Sequence, residues 1–345
     1  MKTIDQEFTQ AVMSWFQENQ RDLPWRKDKD PYHVWVSEIM LQQTRVEAVR
    51  DYYRRWMEAL PNVQALAQTE EETLLKLWQG LGYYNRVRNM QKAARMIMEE
   101  YEATFPARYE EILKLPGIGA YTAGAIASNC FDERVAAVDG NVLRVMSRLT
   151  EDDTDILLQS TKRRYALMLQ TLYPQKQCGV FTQGLMEIGA IVCVPNGMPK
   201  CELCPIRAFC GAGEHQTFDR YPVKAAKKER KIIEMTVFIL LCGEQLAVQK
   251  RGAKGILAGL YQYPNLEQKM TAAEALQTAE AWGCMPTGLQ RQSEYKHIFT
   301  HVEWHMTGYY ITCSCEADGP AHDWIWADAA QMEAEIPLPS AFQYF

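Results

Sequence analysis

Apolar residues recur at helical spacing through most of the first 210 residues. Ile4, Phe8 and Val12 fall on one face of an amphipathic helix. Asp30 followed by Pro31 is typical of a helix start, because the aspartate can cap free backbone amides and proline fits the first turn. Similar spacing predicts further helices at about 45–60, 70–79, 87–102, 120–130, 141–149 and 162–171. We therefore expect this part of the chain to be all helical.

The pattern changes after residue 232. Residues 236–241 and 309–312 are rich in the β-branched and aromatic residues typical of strands, whereas residues 272–276 favour a helix. We predict a helical region over 1–218, a linker over 219–231 and an α/β domain over 232–345.

The net charge of −6 argues against a general basic surface for nucleic acid, but the charge is unevenly distributed. Residues 1–218 carry 25 Lys and Arg against 28 Asp and Glu, and residues 232–345 carry 6 against 13. The linker carries 6 against 2. This basic linker fits either a local contact with a DNA backbone or a simply solvated connection.

Four of the ten cysteines form the pattern C-x7-C-x2-C-x5-C. No apolar run is long enough to cross a bilayer, and the N-terminus lacks the apolar core of a signal peptide, so we expect no membrane partner and a reducing, cytoplasmic location. Thiols grouped this closely in such a compartment indicate a soft metal ion or a cluster. Four thiolates satisfy either zinc or a [4Fe–4S] cluster, and the spacing leaves both open.

Two carboxylates have sequence surroundings that favour opposite ionisation states. Glu38 lies three or four residues from Val34 and Leu41, near an apolar helix face where burial raises the pKa of a carboxyl group. Asp139 follows the apolar run 135–138 and precedes a helix, where capping bonds keep a carboxylate ionised. Cleavage of a glycosidic bond requires one carboxyl in each state. A paired, buried glutamate and a plain helix cap are the alternative interpretations.

Residues 115–120, LPGIGA, lie between two predicted helices. Gly117 and Gly119 permit a tight turn whose backbone amides point outward at the start of the second helix. Such amides bind a phosphate without any basic side chain, which would make DNA binding compatible with a negative net charge. An ordinary connection between helices is the alternative.

Together, the hairpin LPGIGAYTAGAI, the turn at 138–141 and the four-cysteine pattern resemble the endonuclease III superfamily of DNA glycosylases. Residues 23–26, 35–44 and 80–84 are similar to the MutY-type adenine DNA glycosylases within it, and the resemblance covers almost the whole chain. It implies an all-α helix–hairpin–helix core, with a six-helix-type subdomain at about 28–135 and an iron–sulfur loop at 193–210, followed by a C-terminal α/β Nudix-like domain. The implied partner is double-stranded DNA carrying adenine opposite 8-oxoguanine or guanine, and we expect a monomer associated with a bacterial nucleoid.

The resemblance also implies roles for individual residues. Glu38 corresponds to the acid that protonates adenine and Asp139 to the carboxylate that stabilises the sugar cation, with Tyr121 and Asn141 completing the site. The implied adenine pocket consists of Leu23, Trp25, Arg26 and Gln183. The implied contacts with DNA and 8-oxoguanine are Gln43, Thr44, Leu81, Tyr83, Gly117, Gly119, Phe299, Thr300 and His301. The implied ligands of a [4Fe–4S] cluster are Cys193, Cys201, Cys204 and Cys210, although the first spacer has seven residues where the family commonly has six.

Two departures from relatives refine the expected reaction. Glycosylase–lyases of the superfamily carry a lysine where this chain has Tyr121, and a phenol cannot form a Schiff base, so we expect a monofunctional glycosylase that leaves an abasic site. Residues 272–283 offer only Glu274 and Glu280, too few carboxylates for the Mg²⁺ of a Nudix hydrolase, so this domain should recognise its ligand without hydrolysing it. A bifunctional lyase and a non-catalytic iron–sulfur DNA-binding protein are the alternatives.

Overall fold

The computed structural model describes residues 2–225, 229–314 and 324–345. The chain forms two compact units, one from Met1–Gln68 with Asn89–Ala226 and the other from Thr69–Arg88 with Lys227–Phe345. Residues 226–228 of the predicted linker lie outside the described residues. Within the described ranges, no helix combines the length and the apolar character needed to cross a membrane.

Helices build the first unit, and most begin within a few residues of the positions that apolar spacing predicts. The helices up to residue 215 are α1 Gln6–Asn19, α2 Pro31–Met40, α3 Val46–Ala59, α4 Val63–Gln68, α5 Glu71–Leu77, α6 Asn85–Glu100, α7 Tyr109–Ile112, α8 Ala120–Phe131, α9 Gly140–Thr150, α10 Gln159–Gln170, α11 Cys178–Glu187 and α12 Gly211–His215. The start of α2 follows the sequence closely, since the Asp30 side chain accepts a hydrogen bond from the Tyr32 amide at 2.8 Å. α5 and the first residues of α6 belong to the second unit.

Helix α11 packs unusually close to its neighbours, and the apolar spacing did not predict it. A Cβ atom on Gly184 would lie 2.7 Å from Val12 Cγ1 on α1, and one on Gly189 would lie 2.5 Å from Asn141 Cβ on α9. A π-helical segment, Ile188–Val192, continues α11 past its last α-helical residue. These contacts hold the end of α11 against the start of α9, which is the segment that carries the candidate residue Asp139.

The glycine turn between α7 and α8 has the tight conformation that its sequence predicts. Gly117 has a φ of +79°, and a Cβ atom there would lie 2.6 Å from Asn89 Cβ. A side chain at this position would therefore be both strained and sterically blocked. Gly119 is the N-cap of α8 and supplies no capping side chain, so the first amides of the helix are left for another acceptor.

A mixed sheet forms the centre of the second unit. Its strands are β1 Lys231–Cys242, β2 Gln245–Lys250, β3 Tyr261–Gln262, β4 Asn265–Leu266, β5 Met285–Ile298, β6 Val302–Ser314 and β7 Ile325–Ala327, with helices α13 Ala272–Ala281 and α14 Ala329–Ala334. The main strand order is β3-β2-β1-β6-β5. β1 and β6 pair in parallel, whereas β5 and β6 form an antiparallel hairpin. The turn of that hairpin is residues 299–301, which the sequence singles out as a recognition segment.

Candidate active site

A cavity of about 800 Å³ in the first unit brings together all eight residues predicted for catalysis and for the adenine pocket. Its volume lies within the range of roughly 300–1,000 Å³ that small-molecule sites occupy. α2, α8, α9 and α11 contribute to its walls. The eight residues that line it are Leu23, Trp25, Arg26, Glu38, Tyr121, Asp139, Asn141 and Gln183.

Glu38 lies on α2 and is 8% exposed. Burial raises the pKa of its carboxyl group to about 7; the Tyr121 hydrogen bond opposes this rise, the charge of Asp139 adds to it and the charge of Arg26 opposes it. The Tyr121 hydroxyl donates to Glu38 Oε2. A carboxyl group with this pKa is protonated in a large fraction of molecules near neutral pH, as a general acid must be.

Asp139 is the N-cap of α9, as its sequence position predicts. Its Oδ1 accepts from the Val142 amide at 2.7 Å and its Oδ2 from the Asn141 side-chain amide at 2.8 Å. Burial raises the pKa of its carboxyl group and outweighs the capping hydrogen bonds and the charge of Arg144, which lower it as the cap position predicts. A buried carboxyl group, that of Glu38, and a half-buried one, that of Asp139, therefore line the same cavity, each with a raised pKa.

Arg144 joins the capped aspartate to the loop that carries the cysteines. Its guanidinium donates to Asn141 Oδ1 at 2.9 Å, to the Gly189 carbonyl at 2.7 Å and to the Cys193 carbonyl at 2.7 Å. Asn141 in turn donates to Asp139. The sequence patterns gave no indication of this role, because it depends on three chain segments meeting around one buried side chain.

Glu187 is a site residue that the sequence reasoning missed. It lies at the end of α11, lines the cavity and is 1% exposed. Arg21 donates to its two carboxylate oxygens at 2.7 and 2.9 Å, and Arg26 donates at 2.8 Å. Burial alone would raise its pKa, but hydrogen bonds from these two arginines lower it to about 2. The cavity thus contains a permanent carboxylate besides the two that titrate.

The four predicted ligand cysteines line one small cavity of their own. Among the described residues, no group of three or more His, Cys, Asp or Glu side chains is arranged to hold a single metal ion. A [4Fe–4S] cluster is bound differently, since each of its four thiolates ligates a separate iron. Arg148 donates to Cys193 Sγ at 3.3 Å, and the Gly213 amide donates to Cys210 Sγ at 3.3 Å. Thiols that accept such bonds fit a thiolate-bound cluster, whose sulfurs are commonly hydrogen-bonded.

The residues predicted to contact DNA lie in both units. Gln43 and Thr44 line the catalytic cavity, whereas Gly117 and Gly119 form the separate glycine turn of the same unit. Gln43 has a φ of 62° and Tyr83 a φ of 49°. Left-handed backbone is uncommon for residues other than glycine and concentrates at functional sites. Gln43 and Tyr83, two of the predicted DNA contacts, share this conformation with seven other non-glycine residues in the described ranges.

The remaining predicted contacts lie together in the second unit. Tyr83 is 50% exposed, and its hydroxyl lies 3.0 Å from Thr300 Oγ1, within hydrogen-bond distance. Phe299 packs edge-on against Trp304 with ring centroids 4.7 Å apart, while His301 is exposed. Leu81, two residues before Tyr83 in the sequence GLGYY, is buried. The segment Thr69–Arg88 thus brings Tyr83, one of the predicted DNA contacts, to the β5–β6 turn.

Two known protein families match separate parts of the chain. Residues 36–170 match the HhH-GPD superfamily, described as base excision DNA repair proteins, and residues 236–345 match the NUDIX domain family. An adenine DNA glycosylase from Buchnera aphidicola subsp. Schizaphis graminum is 34% identical over 341 residues, covering 97% of this chain and 96% of that protein. The Homo sapiens adenine DNA glycosylase is 32% identical over 356 residues, covering 86% of this chain and 65% of that protein.

Solved structures share the fold of the helical part. A thermostable thymine-DNA glycosylase aligns with a TM-score of 0.55 at 29% identity, covering 60% of this chain and 95% of that chain. A non-covalent endonuclease III–DNA complex aligns with a TM-score of 0.52 at 23% identity, covering 63% of this chain and 99% of that chain. The predicted fold class, a helix–hairpin–helix glycosylase core with a C-terminal Nudix-like domain, is confirmed.

Proposed function

We propose a substrate and a mechanism for this chain, which belongs to the adenine DNA glycosylase family of base excision repair. The proposed reaction is hydrolysis of the N-glycosidic bond of adenine mispaired with 8-oxoguanine or guanine in double-stranded DNA. The observation that carries the mechanism is that two carboxyl groups, the buried Glu38 and the half-buried Asp139, line one cavity large enough for a nucleoside.

Glu38 would act as the general acid. Adenine is a poor leaving group as an anion, so protonation of its ring lowers the barrier to departure. A pKa of about 7 supplies this proton near neutral pH. The Tyr121 hydroxyl, which donates to Glu38 Oε2, fixes the orientation of the carboxyl group and leaves its other oxygen for the base.

Asp139 would stabilise the positive charge that develops on the sugar as the base departs. An opposite charge a few ångströms away lowers the pKa of a carboxyl group, so the sugar cation itself favours the ionised form of Asp139. The bonds from Val142 and Asn141 already hold the carboxylate in place. A preorganised anion of this kind acts without reorganisation during the reaction. Water then completes the substitution, and an abasic site remains.

The target base must leave the helix stack to reach these groups. Trp25 and Leu23 are nearly buried and provide apolar surface along the cavity wall. Glu187 and Arg26 offer an acceptor and a donor held 2.8 Å apart. The Watson–Crick edge of adenine presents a donor beside an acceptor, which matches this pair. Gln183 lines the same wall and can add a further hydrogen bond.

A monofunctional reaction is the better expectation because Tyr121 occupies the lysine position of the glycosylase–lyases. Burial raises the pKa of its phenol well above the ordinary value, so no nucleophilic phenolate forms there at neutral pH. The amine needed for a Schiff base is therefore missing from the position where lyases place it.

Cys193, Cys201, Cys204 and Cys210 would hold a [4Fe–4S] cluster. The chemistry that such a cluster supplies in this interpretation is cross-linking of the loop 193–210, with no step of base release assigned to it. Arg144 then connects the anchored loop to Asn141 and Asp139 through its bonds to the Cys193 carbonyl and to Asn141.

The second unit would recognise 8-oxoguanine without hydrolysing a nucleotide. Glu274 accepts from the Thr271 amide and hydroxyl at 2.7 and 2.8 Å, in a capping box at the start of α13. Of the two carboxylates in 272–283, only Glu280 is then left for a metal, which is too few for Mg²⁺ chemistry. The Thr300 hydroxyl and the ring of Phe299, at the β5–β6 turn, are the groups proposed to read the lesion.

A labelled-duplex assay tests the proposed function. Single-turnover reactions would use duplexes with a central 8-oxoG:A, G:A or 8-oxoG:C pair, and each product would be resolved with and without hot alkali. We expect strand cleavage of the adenine strand only after alkali, fastest for 8-oxoG:A. Cleavage without alkali would indicate a lyase, and an intact adenine strand in all duplexes would leave only a DNA-binding protein.

Two variants test the assigned roles. Glu38→Gln and Asp139→Asn keep the shape of each side chain but remove its proton donor or its charge, so both should abolish adenine release while retaining DNA binding. Glu110→Gln, on the exposed surface of α7, is the matched control and should react at the normal rate. Near-normal release by either catalytic variant would show that the mechanism is assigned to the wrong residues.

A further inference from the structure

The charged side chains that line the catalytic cavity are paired in some cases and unpaired in others. Arg21 and Arg26 both bind Glu187, and Asp28 lies 3.0 Å from the ring of His33. Lys162, in the first turns of α10, lines the same cavity as Asp139 and is half-buried. Its ammonium group makes no hydrogen bond or ion pair with any residue in the described ranges.

Because this lysine has no counter-charge among the described residues, its ammonium group is available to an anion that enters the cavity. The same cavity is lined by Asp139, whose negative charge, required by the proposed mechanism, would repel an anion at the cavity mouth. An extruded nucleotide carries exactly one phosphodiester on each side of its sugar. When the base enters the cavity, at least one of these phosphates must lie at the rim, close to the carboxyl groups.

We propose that Lys162 is a positioning residue that binds a phosphate flanking the extruded adenosine. This role rests on the proposed function. The charge of Lys162 offsets the repulsion between that phosphate and the ionised Asp139. A charge-assisted bond to the phosphate also fixes the sugar relative to Asp139. Lysine suits this role, because an ammonium group binds phosphate as a point charge on a flexible stem.

The neighbouring cations have different surroundings. Arg163 follows Lys162 on α10 but is exposed and does not line the cavity, and Arg164 pairs with Asp152. Lys29 and Arg45 line the cavity but are exposed, so they lose less hydration in the free protein. Among the cations that line the cavity, Lys162 is therefore the one whose binding to a phosphate should contribute most to the free energy of DNA binding.

The test uses DNA in which a single phosphate has lost its charge. Duplexes with 8-oxoG:A would carry one methylphosphonate linkage, either 5′ or 3′ of the target adenosine. Binding would be measured with proteins that carry Glu38→Gln, so that the adenine is not released from the DNA. The four proteins would have Lys162 unchanged, Lys162→Gln, Lys162→Arg or Arg163→Gln. Single-turnover rates would be measured in parallel without the Glu38 substitution.

With the natural linkage, Lys162→Gln should weaken binding about tenfold near 0.1 M salt and reduce the slope of log K against log salt by about one. Lys162→Arg should restore most of the affinity, and Arg163→Gln should cause a much smaller loss. One of the two methylphosphonate duplexes should bind equally well to the protein with Lys162 and to Lys162→Gln. In that duplex the substituted linkage has already removed the charge that Lys162 binds.

Three results would overturn the proposal. Losses from Lys162→Gln and from each methylphosphonate that simply add would show that Lys162 touches neither phosphate. Equal effects of Lys162→Gln and Arg163→Gln would indicate only a general field of positive charge. A borohydride-trapped adduct that disappears in Lys162→Gln would show that the amine reaches C1′. Failure of the wild-type protein to release adenine would instead refute the proposed function, and the binding comparison would still report on Lys162.

Discussion

The rate of adenine release should follow the protonation of Glu38. With a pKa of about 7, this carboxyl group is the proton donor in the proposed mechanism. A group with that pKa is about 90% protonated at pH 6 and about 1% protonated at pH 9. The single-turnover rate at saturating enzyme should therefore fall about a hundredfold between these pH values, with a slope approaching tenfold per pH unit above pH 8.

The same shift predicts a cost to stability. Raising the pKa from 4.5 to about 7 corresponds to about 3 kcal/mol. The folded state holds the proton of Glu38 more tightly than the unfolded chain does. The protonated carboxyl group therefore makes its full contribution to the free energy of unfolding below pH 4.5, and this contribution is lost as the pH rises through 7. Glu38→Gln carries no titrating group, so its stability relative to the wild-type protein should increase by about 3 kcal/mol between pH 4 and pH 8.

Rapid-quench kinetics on an 8-oxoG:A duplex and hydrogen exchange of the α2 amides measure the two effects separately. Hydrogen exchange is preferred to a melting curve, because a chain of two units need not unfold in one step. Affinity for an abasic-site duplex, measured over the same pH range, controls for changes in DNA binding. A rate that stays level through pH 9 with unchanged affinity would refute Glu38 as the acid, and a pH-independent stability difference would refute its burial as the cause of the shift.

Four further substitutions test the surroundings of the two sites. Tyr121→Phe removes a hydrogen bond that lowers the pKa of Glu38, so the alkaline fall in rate should move to higher pH; a move to lower pH would contradict this assignment. Tyr83→Phe and Thr300→Val should each reduce the preference for 8-oxoG:A over G:A by about fivefold, because each removes the hydrogen bond between these two side chains. The double variant should lose little more, because either single variant already lacks that bond. Additive losses would mean that the bond is unimportant. Arg86→Met removes the hydrogen bonds to the Leu81 and Gly82 carbonyls and the cation over the Tyr83 ring. Hydrogen exchange of the amides at 81–84 should therefore increase, and the preference for 8-oxoG:A should fall. Unchanged exchange would show that other contacts hold this loop.

Local signals account for the site residues that were predicted from the sequence pattern itself, whereas the adenine pocket was predicted only by the resemblance to a family. Asp30 before Pro31 and Asp139 after an apolar run are both helix caps, and capping depends on a few neighbouring residues. The same holds for Gly117, whose left-handed φ is a property of one turn. Glu38 was found because its spacing from apolar neighbours on one helix predicts burial. Each of these inferences needs only a short stretch of chain.

Helix α11 shows why other parts were missed. Its segment contains Gly179, Gly184 and Gly189, and glycine disfavours a helix by about 1 kcal/mol relative to alanine. Cβ atoms at these positions would lie 2.8, 2.7 and 2.5 Å from atoms of α8, α1 and α9. The glycines are thus required by contacts with distant segments, which the local sequence cannot reveal. Glu187, at the end of this helix, could not be identified as a site residue for the same reason.

The raised pKa of Asp139 has a physical cause that its position in the sequence does not reveal. A helix cap was expected to keep it ionised, and the capping bonds are present, but a cap on the protein surface and a cap inside a cavity differ in hydration. The burial that makes the site selective for a nucleoside also removes the water that stabilises a free carboxylate. The aspartate therefore gains most from its negative charge when a cation lies beside it. An anion destabilised in the free protein and stabilised by the sugar cation contributes more to the transition state than to the ground state, and only such a difference accelerates the reaction.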